Sequence, residues 1–83
     1  MAMAVHVRFF PLLARRARSR QETLDIAFQP GLRPIDIIRA EGFSDTDAEA
    51  IMVLVNDRQA ELDAPVQDGD RLEFMVAMSG GAR

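Results

Sequence analysis

The apolar positions of this chain change period several times, and each change marks an element. From Ala4 to Phe10, Val5, Val7 and Phe9 alternate with His6, Arg8 and Phe10, the two-residue period of a strand. Pro11 has no N–H for the ladder but suits a first helical turn. Leu12, Leu13, Ala14 and Ala17 then form a short apolar stripe, with Arg15, Arg16, Arg18 and Arg20 on a basic side. Gln21 to Phe28 returns to alternation, with Leu24, Ile26 and Phe28 on one face, and Pro30-Gly31 closes it with a turn. Pro34 near a start and Gly42 just past an end bracket a second helix. Its Leu32, Ile35 and Ile38, with Ile37 as a further candidate, are spaced to lie against a sheet. Ser44 followed three residues later by Asp47 reads as a helix cap, opening a helical turn that fades before Ile51.

Ile51 to Val55 is an unbroken apolar run, as expected of an inner strand covered on both faces. Asn56-Asp57 supplies a turn, Arg58 to Leu62 a brief edge strand, and Asp63 to Asp70 a polar connection containing Pro65. Asp68-Gly69-Asp70 reverses the chain into a last strand, where Leu72, Phe74 and Val76 alternate with Arg71, Glu73 and Met75. The order of elements predicts an α+β domain of β-grasp type: a mixed sheet of four to five strands on one main helix, the last strand beside the first in the centre. Residues 1–79 form the domain, and 80–83 a tail of Gly80-Gly81 with Ala82-Arg83 beyond. Glycine has no Cβ, so the double glycine makes a thin strap able to thread a narrow site.

Composition narrows the chemistry. At 83 residues the chain is one domain, and with 48% hydrophobic residues it can build a core. It has no cysteine, which removes disulfides, thiolate metal sites and cysteine nucleophiles together. His6 is the only histidine, so no metal site is expected. The net charge of −3 argues against nucleic acid, and no apolar run approaches the length of a membrane span. A cytoplasmic setting is expected. Every basic residue is arginine, so no lysine side chain is available as an acyl acceptor. Nothing resembles a nucleophile and its base, so intrinsic catalysis is not expected.

The outward residues of the sheet are the remaining candidates. Phe10, Leu54 and Met75 fall on the face away from the main helix, with His6 and Arg8 near them, and Met78 follows close by in the chain. If the third strand pairs with the last, they make an apolar partner patch; the alternative is that the first short helix or a loop covers Phe10. The arginine-rich stretch 15–20 is more often a solvated helix face than a docking site.

Four pieces in order carry a family resemblance: Val7-Arg8-Phe9-Phe10 with a helix after it, Val55-Asn56-Asp57, Asp68-Gly69-Asp70, and Gly80-Gly81. Together they resemble the MoaD/ThiS family of ubiquitin-like sulfur carriers, closest to the MoaD branch, the small subunit of molybdopterin synthase. The ThiS branch usually lacks the helix after the first strand. The resemblance implies a protein co-substrate rather than an enzyme, with no bound cofactor. The terminal glycine, Gly81 here, would be adenylated by a ubiquitin-activating-like adenylyltransferase that uses ATP. It would then become a thiocarboxylate. Ser79 and Gly80 would thread into a larger synthase subunit or another sulfur acceptor. Two departures stand out. Ala82-Arg83 follows the glycine, which implies a protease that removes them, a relative that never carries sulfur, or an artificial extension. Val76-Ala77-Met78 stands where MoaD relatives often have prolines. The alternative function is a non-covalent β-grasp interaction module.

Overall fold

The computed structural model describes residues 3–77. Five strands form one sheet: β1 (Ala4–Phe9), β2 (Thr23–Ala27), β3 (Ile51–Val55), β4 (Arg58–Ala60) and β5 (Arg71–Val76). Three short helices accompany it: α1 (Pro11–Arg16), α2 (Pro34–Ala40) and α3 (Asp45–Ala48). The strand order is β2-β1-β5-β3-β4. β1 and β5 run parallel in the centre, and the other three pairings are antiparallel. This is the expected α+β β-grasp arrangement, with the last strand beside the first.

One face of the sheet makes the core. Val5, Val7, Phe9, Val53, Leu72 and Phe74 are buried there with Leu13, Ala14, Ile37, Ile38 and Ala48 from the three helices. Phe9 and Phe74 face each other across the parallel pair, with stacked rings whose centroids are 5.3 Å apart. Their side chains are fully enclosed.

Several details depart from the sequence pattern. The run Ile51–Val55 is not covered on both faces. Ile51 and Val53 are buried, whereas Met52 and Leu54 are half-buried on the far side. An inner strand has neighbours on both edges, but here only one face has a helical layer. Leu13 and Ala14 of α1 are buried, as is Ala17 just past its end, while Leu12, about 100° round the helix from Leu13, is 59% exposed. In α2, Ile37 and Ile38 carry the packing and Ile35 is half-buried. Leu24, Ile26 and Phe28 are also half-buried, since β2 is an edge strand. The fourth strand ends at Ala60 rather than Leu62. The domain boundary expected at residue 79 lies outside the described residues.

Two loops fix the ends of these elements. After α2, Phe43 N–H donates to the Ile38 carbonyl and Gly42 N–H to that of Arg39, with Gly42 at φ +93°. That is the left-handed glycine termination of a helix, and it drops Phe43 into the core. At the other end of the sheet, Asn56 and Asp57 both have positive φ, as a two-residue hairpin requires. Asn56 Nδ2 donates to Asp70 Oδ1 at 2.9 Å, and Asn56 Oδ1 accepts from Arg71 N–H at 3.0 Å. Asp68 accepts from Ala4 N–H at 3.0 Å. The Asn56-Asp57 and Asp68-Gly69-Asp70 turns are thus joined in space and tie the starts of β1 and β5 to the β3–β4 hairpin. These acids serve turn geometry.

The cap of α3 gives a prediction about acid. Ser44 Oγ accepts from Asp47 N–H and the Asp47 carboxylate accepts from Ser44 N–H, each at 3.0 Å. The bond from the Ser44 backbone, then that from its hydroxyl, holds Asp47 below the usual carboxylate range. Hydrogen bonding from the Arg33 guanidinium lowers Asp36 at the start of α2 in the same direction. A carboxyl depressed on folding stabilises fully above its unfolded value and loses that contribution as pH falls through its folded value. The thermal midpoint is therefore expected to fall on acidification below about pH 4. Asp47→Asn should blunt that fall, and an identical acid profile in the variant would assign the loss elsewhere.

Candidate functional site: the outer sheet face at the tail exit

The sheet face opposite the core carries the expected patch. Met75 sits directly across from Met52, and Leu54 across from Glu73. Phe10 N–H donates to the Phe74 carbonyl at 3.0 Å, placing Phe10 one residue past the end of β1, next to Met75. Phe10 is 39% exposed although it precedes α1 directly, so that helix does not cover it. Leu54, Met75 and Met52 are half-buried and none packs against the core cluster. The structure therefore brings Phe10, Leu54 and Met75 onto one face and adds Met52. The sequence reading missed Met52 because it took its strand as covered on both sides. Its place two residues before Leu54 is the signal that identifies it.

The topology gives this patch a position. β5 runs parallel to β1 and antiparallel to β3, so Phe10, Met52 and Met75 gather at the end of the sheet where β5 finishes. Ala77 N–H continues the ladder by donating to the Ala50 carbonyl at 2.7 Å. Met78, Ser79, Gly80 and Gly81 lie outside the described residues.

The other end of the same face is polar. His6 Nδ1 lies 2.7 Å from Asp25 Oδ1, Arg8 Nη1 lies 3.8 Å from Glu73 Oε2, and Arg71 Nη2 lies 3.6 Å from Asp57 Oδ2. These pairs line an open groove of about 440 Å³ that also touches Leu54. All three are substantially exposed, so each contributes little to stability. Away from this face, Arg16 pairs with Asp47 at 3.4 Å, while Arg15, Arg18 and Arg20 are exposed.

The outer face thus combines apolar side chains where β5 finishes with charged side chains at its other end. Among the described residues, no helix is long and apolar enough to cross a membrane. The fold is that of ubiquitin-like β-grasp proteins. SAMP1 from Haloferax volcanii superposes with a TM-score of 0.68 at 24% identity, covering 94% of this chain and 99% of that one. The putative molybdopterin converting factor subunit 1 from Pyrococcus furiosus gives 0.65 at 19%, covering 92% and 99%. Urm1 from Trypanosoma brucei gives 0.59 at 21%, covering 96% and 97%. No curated protein sequence matches the chain significantly. The ThiS family model matches residues 16–81, most of the chain. The chain therefore belongs to the ThiS family.

Proposed function

We propose that this protein is a sulfur carrier whose reactive group is the carboxylate of Gly81. The observation that carries this reading is that the family match runs to Gly81, the second glycine of the Gly80-Gly81 pair. In the chain as written, the Gly81 carbonyl is bound in an amide. Hydrolysis of the Gly81–Ala82 bond by a protease frees a carboxylate. A ubiquitin-activating-like partner then joins it to AMP from ATP, releasing pyrophosphate. A sulfide donor displaces AMP, and the resulting thiocarboxylate passes its sulfur to an acceptor. ATP is used by that partner, and no cofactor is held by the carrier.

The physical logic is separation of tasks. The four residues from Met78 to Gly81 span about 14 Å when extended, enough to enter a channel while the sheet stays outside it. Ser79 and Gly80 keep the strap thin, and a closed channel shields the acyl-adenylate from water. Phe10, Met52, Leu54 and Met75 dock the partner at the channel mouth. The helix α1 after β1, and the likeness to a molybdopterin converting factor subunit, support a molybdopterin-type acceptor on a larger synthase subunit in the cytoplasm. The outer patch also favours a second reading, a non-covalent interaction module that keeps Ala82-Arg83.

Intact mass of the protein purified from its own host separates the two. The carrier should lack Ala82-Arg83 and, in a fraction of molecules, carry sulfur in place of one oxygen. Gly81→Ala should block thiocarboxylate formation with the fold unchanged. A population that retains Arg83 throughout and never gains sulfur would establish the module.

A further inference from the structure

The sheet has an open edge at β2. In the order β2-β1-β5-β3-β4, the side of β2 turned away from β1 pairs with no strand. The bond directions follow from β1. His6 N–H donates to the Asp70 carbonyl and Phe10 N–H to that of Phe74, so the even residues of β1 turn their backbone groups toward β5. The odd residues turn toward β2: Phe9 N–H donates to the Glu22 carbonyl, and the Met3 carbonyl accepts from Phe28 N–H. Along an antiparallel pair, every second pair of opposed residues exchanges the bonds. In this register Leu24 and Ile26 therefore bond with Val7 and Val5, while Thr23, Asp25 and Ala27 turn their N–H and C=O groups outward. Among the described residues, no group of the chain meets those outward groups.

Three features of the edge select its occupant. β2 holds neither proline nor a bulge, and its register with β1 runs unbroken over five pairs, so the backbone is free to accept another strand. Leu24 and Ile26 are only half-buried on the core face, so a strand laid alongside covers more apolar surface. On the outer face, Asp25 lies at the middle of the edge with its side chain 69% exposed, paired with His6 across the ladder. Asp25 disfavours a second copy of this chain as the occupant. Two β2 strands related by a two-fold axis place Asp25 opposite its own mate when the axis falls at Asp25. They place the two acids diagonally when it falls at Leu24 or Ile26. Like charges repel in either arrangement, whereas a basic side chain in the same place is attracted.

We propose that the β2 edge receives an extended segment of another protein, apolar at the residues facing Leu24 and Ile26 and basic at the residue facing Asp25. Main-chain bonds to Thr23, Asp25 and Ala27 hold the segment, and the alternation of its side chains sets its register. The site uses nothing beyond the described residues, so it stands apart from the sulfur-carrier reading.

The test is a titration of the 15N-labelled full chain with a capped synthetic heptapeptide alternating valine and lysine. The Thr23, Asp25 and Ala27 amides should shift together, and their exchange with solvent should slow at least about tenfold at saturation. N-methylation of one alternate set of peptide nitrogens should abolish binding, and N-methylation of the other set should leave it, because only one edge of the peptide faces β2. Asp25→Lys, at an exposed position, should bind this peptide about tenfold more weakly and should prefer a valine–glutamate peptide. Edge amides unmoved at millimolar peptide would overturn the proposal, as would an affinity indifferent to the charge swap or to both N-methylated sets. Cross-peaks between the β2 strands of differently labelled molecules in the peptide-free protein would also overturn it, by assigning the edge to a second copy.

Discussion

Phe74→Ala is expected to remove about 3–5 kcal/mol of folding stability, read as a lower midpoint in urea unfolding. Phe74 is fully enclosed, sits on a central strand and stacks on Phe9, the other large aromatic at the heart of the core. Its neighbours come from β1, β3 and β5, whose backbones are held by ladders on both sides, so the void cannot close by a small shift. Domains of this kind hold about 5–15 kcal/mol in total, so the variant should be marginal at room temperature. A loss under about 1.5 kcal/mol would mean that the core relaxes into the space, contrary to the rigid packing described.

Met75→Arg is expected to weaken docking of the activating or acceptor protein about 100-fold, near 2.7 kcal/mol, in a calorimetric titration. Met75 lies between Phe10 and Met52 at the tail exit, so the substitution puts a charge in the middle of the apolar patch. The arginine stem can still lie over Met52, and stability should change by less than about 1 kcal/mol. An unchanged affinity would move the interface off this face.

Much of the architecture was legible because the inner and outer faces of β1 and β5 differ in chemistry. Val5, Val7 and Phe9 alternate with polar or exposed neighbours, as do Leu72 and Phe74, so period alone gives both the strand and its buried side. The turns were legible for a local reason: Asn56-Asp57 and Asp68-Gly69 tolerate the positive φ that Asn56, Asp57 and Gly69 adopt. The run Ile51–Val55 was harder. With apolar groups on both faces, its sequence does not tell a second packed layer from a surface kept apolar for a partner, and Met52 was lost in that ambiguity. Phe43 and Val66 are buried from connecting segments, where no period exists to mark them. Phe43 was nonetheless recoverable, as the apolar residue directly after the helix-ending Gly42. Of the candidate site, Phe10, Leu54 and Met75 were readable from alternation. Their gathering at the tail exit was not, because it follows from the relative directions of β1, β3 and β5.

The parallel pairing of β1 and β5 bears on how the domain resists force. Traction on the strap, opposed by an anchor near the start of β1, acts along the strands and loads their cross-strand bonds in shear. Those bonds share the strain and do not open one by one like a zipper. Any pull on the chain beyond β5 would therefore meet a mechanically stiff handle.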